Sequence, residues 1–204
     1  MLKKCNNSFF KSYNDIIILK GGRLIKLYDT LDTKSLDLLG KGTQGSVYKI
    51  DTTKCIKVFK KSKSCKDELH SMLISQIDSH FPKLYSYGDL YIVREYISGI
   101  SLDEYLLLNP LTEDICHKIM EIYLAMKYVG FKRLDSALFH IFLCDSDKVK
   151  IIDTAKAMKK DYFYPHIIIK SLSDLNYKDY FLSFVKDKYP HIYYIWKKNS
   201  HILT

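Results

Sequence analysis

Three glycines in the run Leu39-Gly40-Lys41-Gly42-Thr43-Gln44-Gly45-Ser46-Val47-Tyr48 form a G-x-G-x-x-G-x-V pattern. Glycine at such positions lets backbone amides approach phosphate oxygens, because no β-carbon intervenes and unusual dihedrals cost little. A bare G-x-G-x-x-G also serves dinucleotide folds, and a surface hairpin turn is the bland alternative. The flanks discriminate. A dinucleotide loop opens a helix, whereas here a β-forming run over residues 46–51 follows the glycines. Farther along, Lys57 sits near the end of a second β-forming run, and Asp135 and Asp153 stand 18 residues apart. Taken singly, such a lysine is an exposed strand residue, and an aspartate after an apolar strand is a turn former.

The elements that must position these residues are legible from period and punctuation. A strand is expected at 16–19 before the Gly21-Gly22 turn, and Thr52-Thr53 turns the chain between strands at 46–51 and 55–59. From Lys66 the period becomes helical, with Leu69, Leu73 and Ile77, and Met72 alongside, up to the His80-Phe81-Pro82 break. Strands at 84–87 and 90–96 follow, split by Gly88-Asp89. A short helix over 102–108 stops at Asn109-Pro110. Thr112 then caps a helix whose Ile115, Ile119, Ile122, Met126 and Val129 make one apolar stripe ending near Gly130. Two short strands, 141–143 and 149–152, surround the Asp145-Ser146-Asp147 turn, and the aromatic-rich residues 161–204 read as helical.

Lined up in order, these stations resemble the protein kinases. By that resemblance Gly40, Lys41, Gly42, Thr43, Gln44, Gly45 and Val47 would cover the phosphates of ATP. Lys54-Cys55-Ile56-Lys57 stands where the family has V-A-I-K, so Lys57 would hold the α- and β-phosphates. Glu68 would fix its ammonium, with Asp67 as a rival. The run from Tyr91 through Glu95, Tyr96 and Ile97 resembles the strand entering the interlobe hinge, where the backbone of Glu95 and Ile97 would hydrogen-bond adenine. Arg94 then flanks the back of that pocket, a place usually apolar, and would either turn outward or find a carboxylate.

Arg133-Leu134-Asp135-Ser136-Ala137-Leu138-Phe139-His140 stands where the family has H-R-D-L-x-x-x-N, so Asp135 would orient the acceptor hydroxyl and take its proton. Asp153 takes the place of the DFG aspartate and would bind Mg²⁺ across the phosphates; the family keeps the same 18-residue separation. The implied fold is α+β and bilobal, a single protein-kinase-like domain. It has an N-lobe of antiparallel sheet with one helix over about 1–96, a hinge at about 95–99, and an abbreviated, mainly helical C-lobe over about 100–204.

The pattern departs from the family in places. Arg133-Leu134 replaces His-Arg, Ala137 stands where many serine/threonine kinases carry lysine, Thr154-Ala155 replaces Phe-Gly, and no A-P-E follows. His140 replaces the asparagine of the second metal contact. An imidazole suits softer metals than Mg²⁺, so His140 would either hydrogen-bond Asp135 or favour Mn²⁺. The short second lobe resembles the small atypical, RIO-like bacterial serine/threonine kinases, which implies γ-phosphoryl transfer from Mg-ATP to a hydroxyl of a protein substrate or of the chain itself. The runner-up is a nucleotide-binding pseudokinase acting as a scaffold or switch; an aminoglycoside- or choline-type small-molecule kinase ranks third.

Composition bounds the alternatives. With 204 residues, 47% of them hydrophobic and 27% charged, the chain is long enough for one domain with a sizeable core. No apolar run approaches the roughly 18–20 residues that span a bilayer, and no leader-like apolar region follows Lys3 and Lys4, so a cytoplasmic protein without a membrane partner is expected. Five dispersed cysteines without a C-x-x-C pair imply reduced thiols. The net charge of +9 is spread, with clusters at Lys60, Lys61 and Lys63 and at Lys156, Lys159 and Lys160. Nucleic acid is therefore a less favoured partner than ATP.

Overall fold

A computed structural model describes residues 17–20, 23–26 and 32–199. The first two strands, β1 (Ile17–Lys20) and β2 (Arg23–Lys26), pair as an antiparallel hairpin. The strand expected at 16–19 falls there, and its Gly21-Gly22 turn lies outside the described residues. After a single 3₁₀ turn capped by Asp32, the chain enters β3 (Asp37–Lys41), β4 (Gly45–Lys49) and β5 (Lys54–Phe59), crosses through helix α1 (Ser62–Ser75), and returns as β6 (Leu84–Tyr87) and β7 (Tyr91–Glu95). These five strands form one antiparallel sheet in the order β3-β4-β5-β7-β6. The Asp51 carboxylate tightens the β4–β5 turn by accepting the amides of Thr53 (2.7 Å) and Lys54 (2.8 Å).

Side-chain alternation along β5 decides which residues meet α1. Ile56 joins Tyr91 and Val93 on one face of the sheet, whereas Phe59 joins Ile92, Leu84 and the α1 residues Cys65 and Met72 on the other. Lys57 shares the Phe59 face and so points toward α1. That helix begins four residues earlier than its periodicity suggested and presents a different stripe. Leu73 and Ile77 are exposed, while Cys65, Glu68, Ser71, Met72 and Ser75 are buried. Of the expected face, Met72 is buried and Leu69 packs partly against the Phe59–Ile92 cluster, while Leu73 and Ile77 are corrected to exposed positions. Ile77 lies past the helix end, and the buried face carries Glu68 because its partner is Lys57 rather than an apolar core.

The second half is helical around a minor sheet. β8 (Ile100–Ser101) leads into α2 (Leu102–Leu108) and α3 (Glu113–Tyr128), and β9 (Ile141–Leu143) and β10 (Val149–Ile151) complete a three-stranded antiparallel sheet in the order β10-β9-β8. Thr112 caps α3 by accepting the Ile115 amide, and Gly130 leaves the helix at φ 78°, as its position just past the last turn requires. All five residues of the expected α3 stripe are buried. They pack with Leu134, Leu138 and Ile151 and with residues of three C-terminal helices, α4 (His166–Asp174), α5 (Lys178–Lys188) and α6 (Pro190–Asn199). Trp196 of α6 is 1% exposed and meets Tyr123 edge-on at 5.1 Å; a side chain of this size contributes about 3 kcal/mol by leaving water.

The architecture is α+β, with a five-stranded antiparallel sheet and six α-helices among the described residues. Cys55, Cys65 and Cys116 are buried free thiols, and burial pushes Cys116 up to about 12. No described helix is long and apolar enough to cross a membrane.

Candidate active site

Between the sheet half and the helical half lies a cleft of about 740 Å³. Its roof is the β3–β4 hairpin with residues 40–45 and Val47, and its floor carries Asp135, His140 and Asp153; Lys57 lies on its wall. Residues more than a hundred positions apart, such as Gly40 and Asp153, therefore face one space. The hairpin glycines divide by geometry. A β-carbon on Gly40 would meet nothing within 4 Å and one on Gly42 only the Gly45 carbonyl at 3.9 Å, whereas one on Gly45 would stand 2.0 Å from the Val58 carbonyl oxygen. Gly40 and Gly42 leave the backbone open to a ligand, while Gly45 is required for β4 to lie against β5.

Lys57 donates to Glu68 Oε2 at 2.5 Å and lies 3.6 Å from Asp153 Oδ2; His140 Nε2 is 3.9 Å from the same Asp153 oxygen. Glu68, Lys57, Asp153 and His140 thus form a line of alternating groups running from the core into the cleft. Glu68 is 1% exposed and Lys57 8%. Burial pushes the Glu68 carboxyl up while the Lys57 ammonium pulls it back. Asp153 behaves oppositely. Burial raises it, but Lys57, His140, the Ala155 amide and Arg94 together hold it below its usual value. Burial, and then the Lys57 charge, keep the His140 imidazole below its ordinary pKa despite Asp153. Asp153 adopts φ 58°, a left-handed conformation that costs a non-glycine residue energy and that aims its carboxylate at Lys57.

Asp67, the rival to Glu68, points elsewhere and pairs with Lys159 at 2.7 Å. Nearby, the hydroxyls of Ser71 and Thr154 lie 3.0 Å apart, so α1 is tied twice to the segment that follows Asp153.

Asp135 has an environment that its sequence position did not reveal. Its side chain is 3% exposed, both carboxylate oxygens accept the Ile167 amide at 3.0 Å, and Oδ1 also accepts the Ile168 amide at 3.3 Å. Arg133 Nη2 lies 3.7 Å away. The carboxylate therefore sits on the N-terminus of α4, where free amides and the helix dipole favour negative charge. The missed signal was Pro165, which precedes α4 and has no side chain able to cap it. Burial raises the Asp135 carboxyl even though these amides and Arg133 pull it down. The expected alternative of a His140–Asp135 hydrogen bond is not what the structure shows; His140 faces Asp153 instead.

Arg94 turns inward rather than outward, and its charge acts on the Glu68 and Asp153 carboxylates without a close ion pair. It is 5% exposed, lines the cleft, forms no ion pair among the described residues, and its Nε has no hydrogen-bond partner. Glu95 and Ile97 lie off the cleft wall at the chain crossing. The Glu95 side chain pairs with Lys150 at 2.8 Å and accepts the Lys83 amide at 3.0 Å, and its own amide donates to the Lys83 carbonyl at 2.8 Å. No group of three or more His, Cys, Asp or Glu suited to a metal occurs among the described residues.

No family model matches the chain. It is 31% identical over 112 residues to serine/threonine-protein kinase D of Synechocystis, an alignment that covers 51% of this chain and 21% of that relative. The matched stretch thus spans about a fifth of the relative's length. This similarity supports a protein-kinase relationship.

Proposed function

We propose that the chain is an ATP-dependent phosphotransferase of serine/threonine protein-kinase type, bilobal, with a sheet lobe ending near residue 96, a crossing at 95–99 and a short helical lobe from about 100. The observation that carries this reading is the convergence of Lys57, held by Glu68, and Asp153 beneath the Gly40–Gly42 backbone in one cleft. The hairpin amides and Lys57 would bind the phosphates.

The residues present fit a divalent cation. Mg²⁺ is commonly held by one or two protein carboxylates plus phosphates, so a three-ligand protein cluster is not required. Asp153, 36% exposed at its side chain, would hold it together with His140, a nitrogen donor that also admits Mn²⁺. A cation held there would supply neutralisation of the charge on the phosphates. The acceptor oxygen forms its bond to the γ-phosphorus as the bond to the ADP oxygen breaks. Two amide donors fill only part of the acceptor capacity of Asp135, so its remaining lone pairs can orient the acceptor hydroxyl and take its proton. Its raised pKa suits that task.

The second reading, a nucleotide-binding pseudokinase, is favoured by one observation: both Asp135 oxygens already serve the α4 N-terminus. Incubation with γ-labelled ATP and Mg²⁺ or Mn²⁺ separates the two. Label transfer that is lost in both Asp135→Asn and Lys57→Met supports the enzyme. Nucleotide binding without transfer supports the pseudokinase.

A further inference from the structure

Beside the cleft lies a second hollow of about 310 Å³ lined by Arg133, Lys156, Lys159, Lys160 and Tyr162. Four of its five lining residues are cations and none is acidic. Arg133 and Lys156 also line the main cleft, so the two spaces adjoin on the Asp135 side. The walls are built by backbone pairing: Leu134 donates to the Tyr162 carbonyl and Tyr162 to the Lys132 carbonyl, each at 2.8 Å, while Lys132 and Arg133 both donate to the Ala157 carbonyl. Asp67 answers Lys159, and Asp135 lies near Arg133. Lys156 and Lys160 have no ion-pair partner among the described residues.

We infer that this hollow binds acidic side chains of a peptide segment, and that the segment carries the hydroxyl to be phosphorylated. The inference rests on the phosphotransferase reading for the hydroxyl, and on the hollow alone for the acidic peptide. A concavity lined by charge of one sign concentrates ligands of the opposite sign. Arginine and lysine clusters of this kind are the general means of recognising acidic motifs. A peptide fits better than a single-stranded nucleic acid. The aromatic group of the hollow, Tyr162, already has the Arg133 guanidinium over its ring at 5.6 Å, so that face is closed to a stacked base. The position next to Asp135 places carboxylates one or a few residues from an acceptor serine or threonine.

Fluorescence anisotropy with a labelled serine peptide flanked by glutamates, and with its glutamine and lysine counterparts, tests the inference. It is measured on the full chain and on Lys160→Glu, with folding checked by circular dichroism. The glutamate peptide is expected to bind roughly tenfold more tightly than the glutamine one, and Lys160→Glu to erase that difference while ATP-analogue binding is unchanged. Equal or tighter binding of the glutamine or lysine peptide, an unaltered Lys160→Glu, or an RNA oligonucleotide that outcompetes the acidic peptide overturns it. Phosphoryl transfer to the same peptides is read separately. Acidic-peptide binding without nucleotide binding refutes the kinase reading and leaves the hollow's ligand standing. Nucleotide binding without a preference for the acidic peptide does the reverse.

Discussion

The Asp135 carboxylate grips the Ile167 amide with both oxygens, each at 3.0 Å, across 32 positions of sequence. The group proposed to orient the acceptor hydroxyl is therefore also the fastening of α4 to the loop beneath the cleft. Loss of a side-chain cap from a helix N-terminus costs about 1–2 kcal/mol. Asp135→Ala is expected to lose at least that much in urea unfolding, and Asp135→Asn less, because its amide oxygen still accepts. A carboxylate that served chemistry alone would leave stability unchanged in both.

The same group gives a pH dependence with a definite sign. Burial, outweighing the Ile167 and Ile168 amides and Arg133, raises its native pKa above the ordinary 3.8, so the native state holds the proton more tightly than the unfolded chain. The stability it contributes is complete below that ordinary value and is lost as pH rises through the raised native one. Asp135→Asn does not titrate. The stability of the wild type relative to this variant should accordingly fall across that window and then level off; a difference that grows with pH would contradict the assignment.

The glycines of the roof should separate in mutagenesis. Gly45→Ala forces a β-carbon against the Val58 carbonyl and is expected to destabilise by about 2–3 kcal/mol in thermal or urea unfolding. Gly40→Ala and Gly42→Ala should leave unfolding nearly unchanged and weaken nucleotide binding. Equal stability losses at all three positions would show that the hairpin is packed as a unit.

Lys57→Met strands Glu68 in the core, and breaking a buried pair in this way costs about 3–5 kcal/mol. Glu68 can escape part of that cost by taking up a proton, so the loss should be larger at pH 8 than at pH 5. The double variant Lys57→Met/Glu68→Leu should recover much of it. Additive losses in this cycle would mean the two side chains are not coupled.

His140 tests the choice of metal. Nucleotide affinity in Mn²⁺ should exceed that in Mg²⁺, and His140→Asn should move the ratio toward Mg²⁺ by roughly tenfold. Identical affinities in both metals, unaltered in the variant, would remove His140 from the coordination.

Local signals made much of this legible in the chain. The β4–β5 hairpin and the α3 stripe from Ile115 to Val129 with its Thr112 cap followed from periodicity and turn residues, whereas the meeting of Lys57, Asp135 and Asp153 in one cleft was implied by the resemblance to protein kinases. What escaped were partners remote in sequence. The face that α1 buries is set by Lys57 on β5, the anchor of Asp135 is an amide on a helix that starts after Pro165, and Arg94 is buried among charges that no local pattern announces. Polar groups inside a protein choose partners by three-dimensional proximity, and a one-dimensional period carries no record of that choice.

The paired fastenings of α1 to the stretch beyond Asp153, through Ser71–Thr154 and Asp67–Lys159, give any breathing of the molecule a direction. Along that rear edge the upper and lower jaws must travel together. The glycine hairpin has no such tie to the lower jaw: Lys60, just past the end of β5, donates to its Thr43 and Gln44 carbonyls, so its hydrogen bonds stay within the upper jaw. Cutting either tie, in Ser71→Ala or Lys159→Ala, would therefore loosen the rear edge before it touched the hairpin.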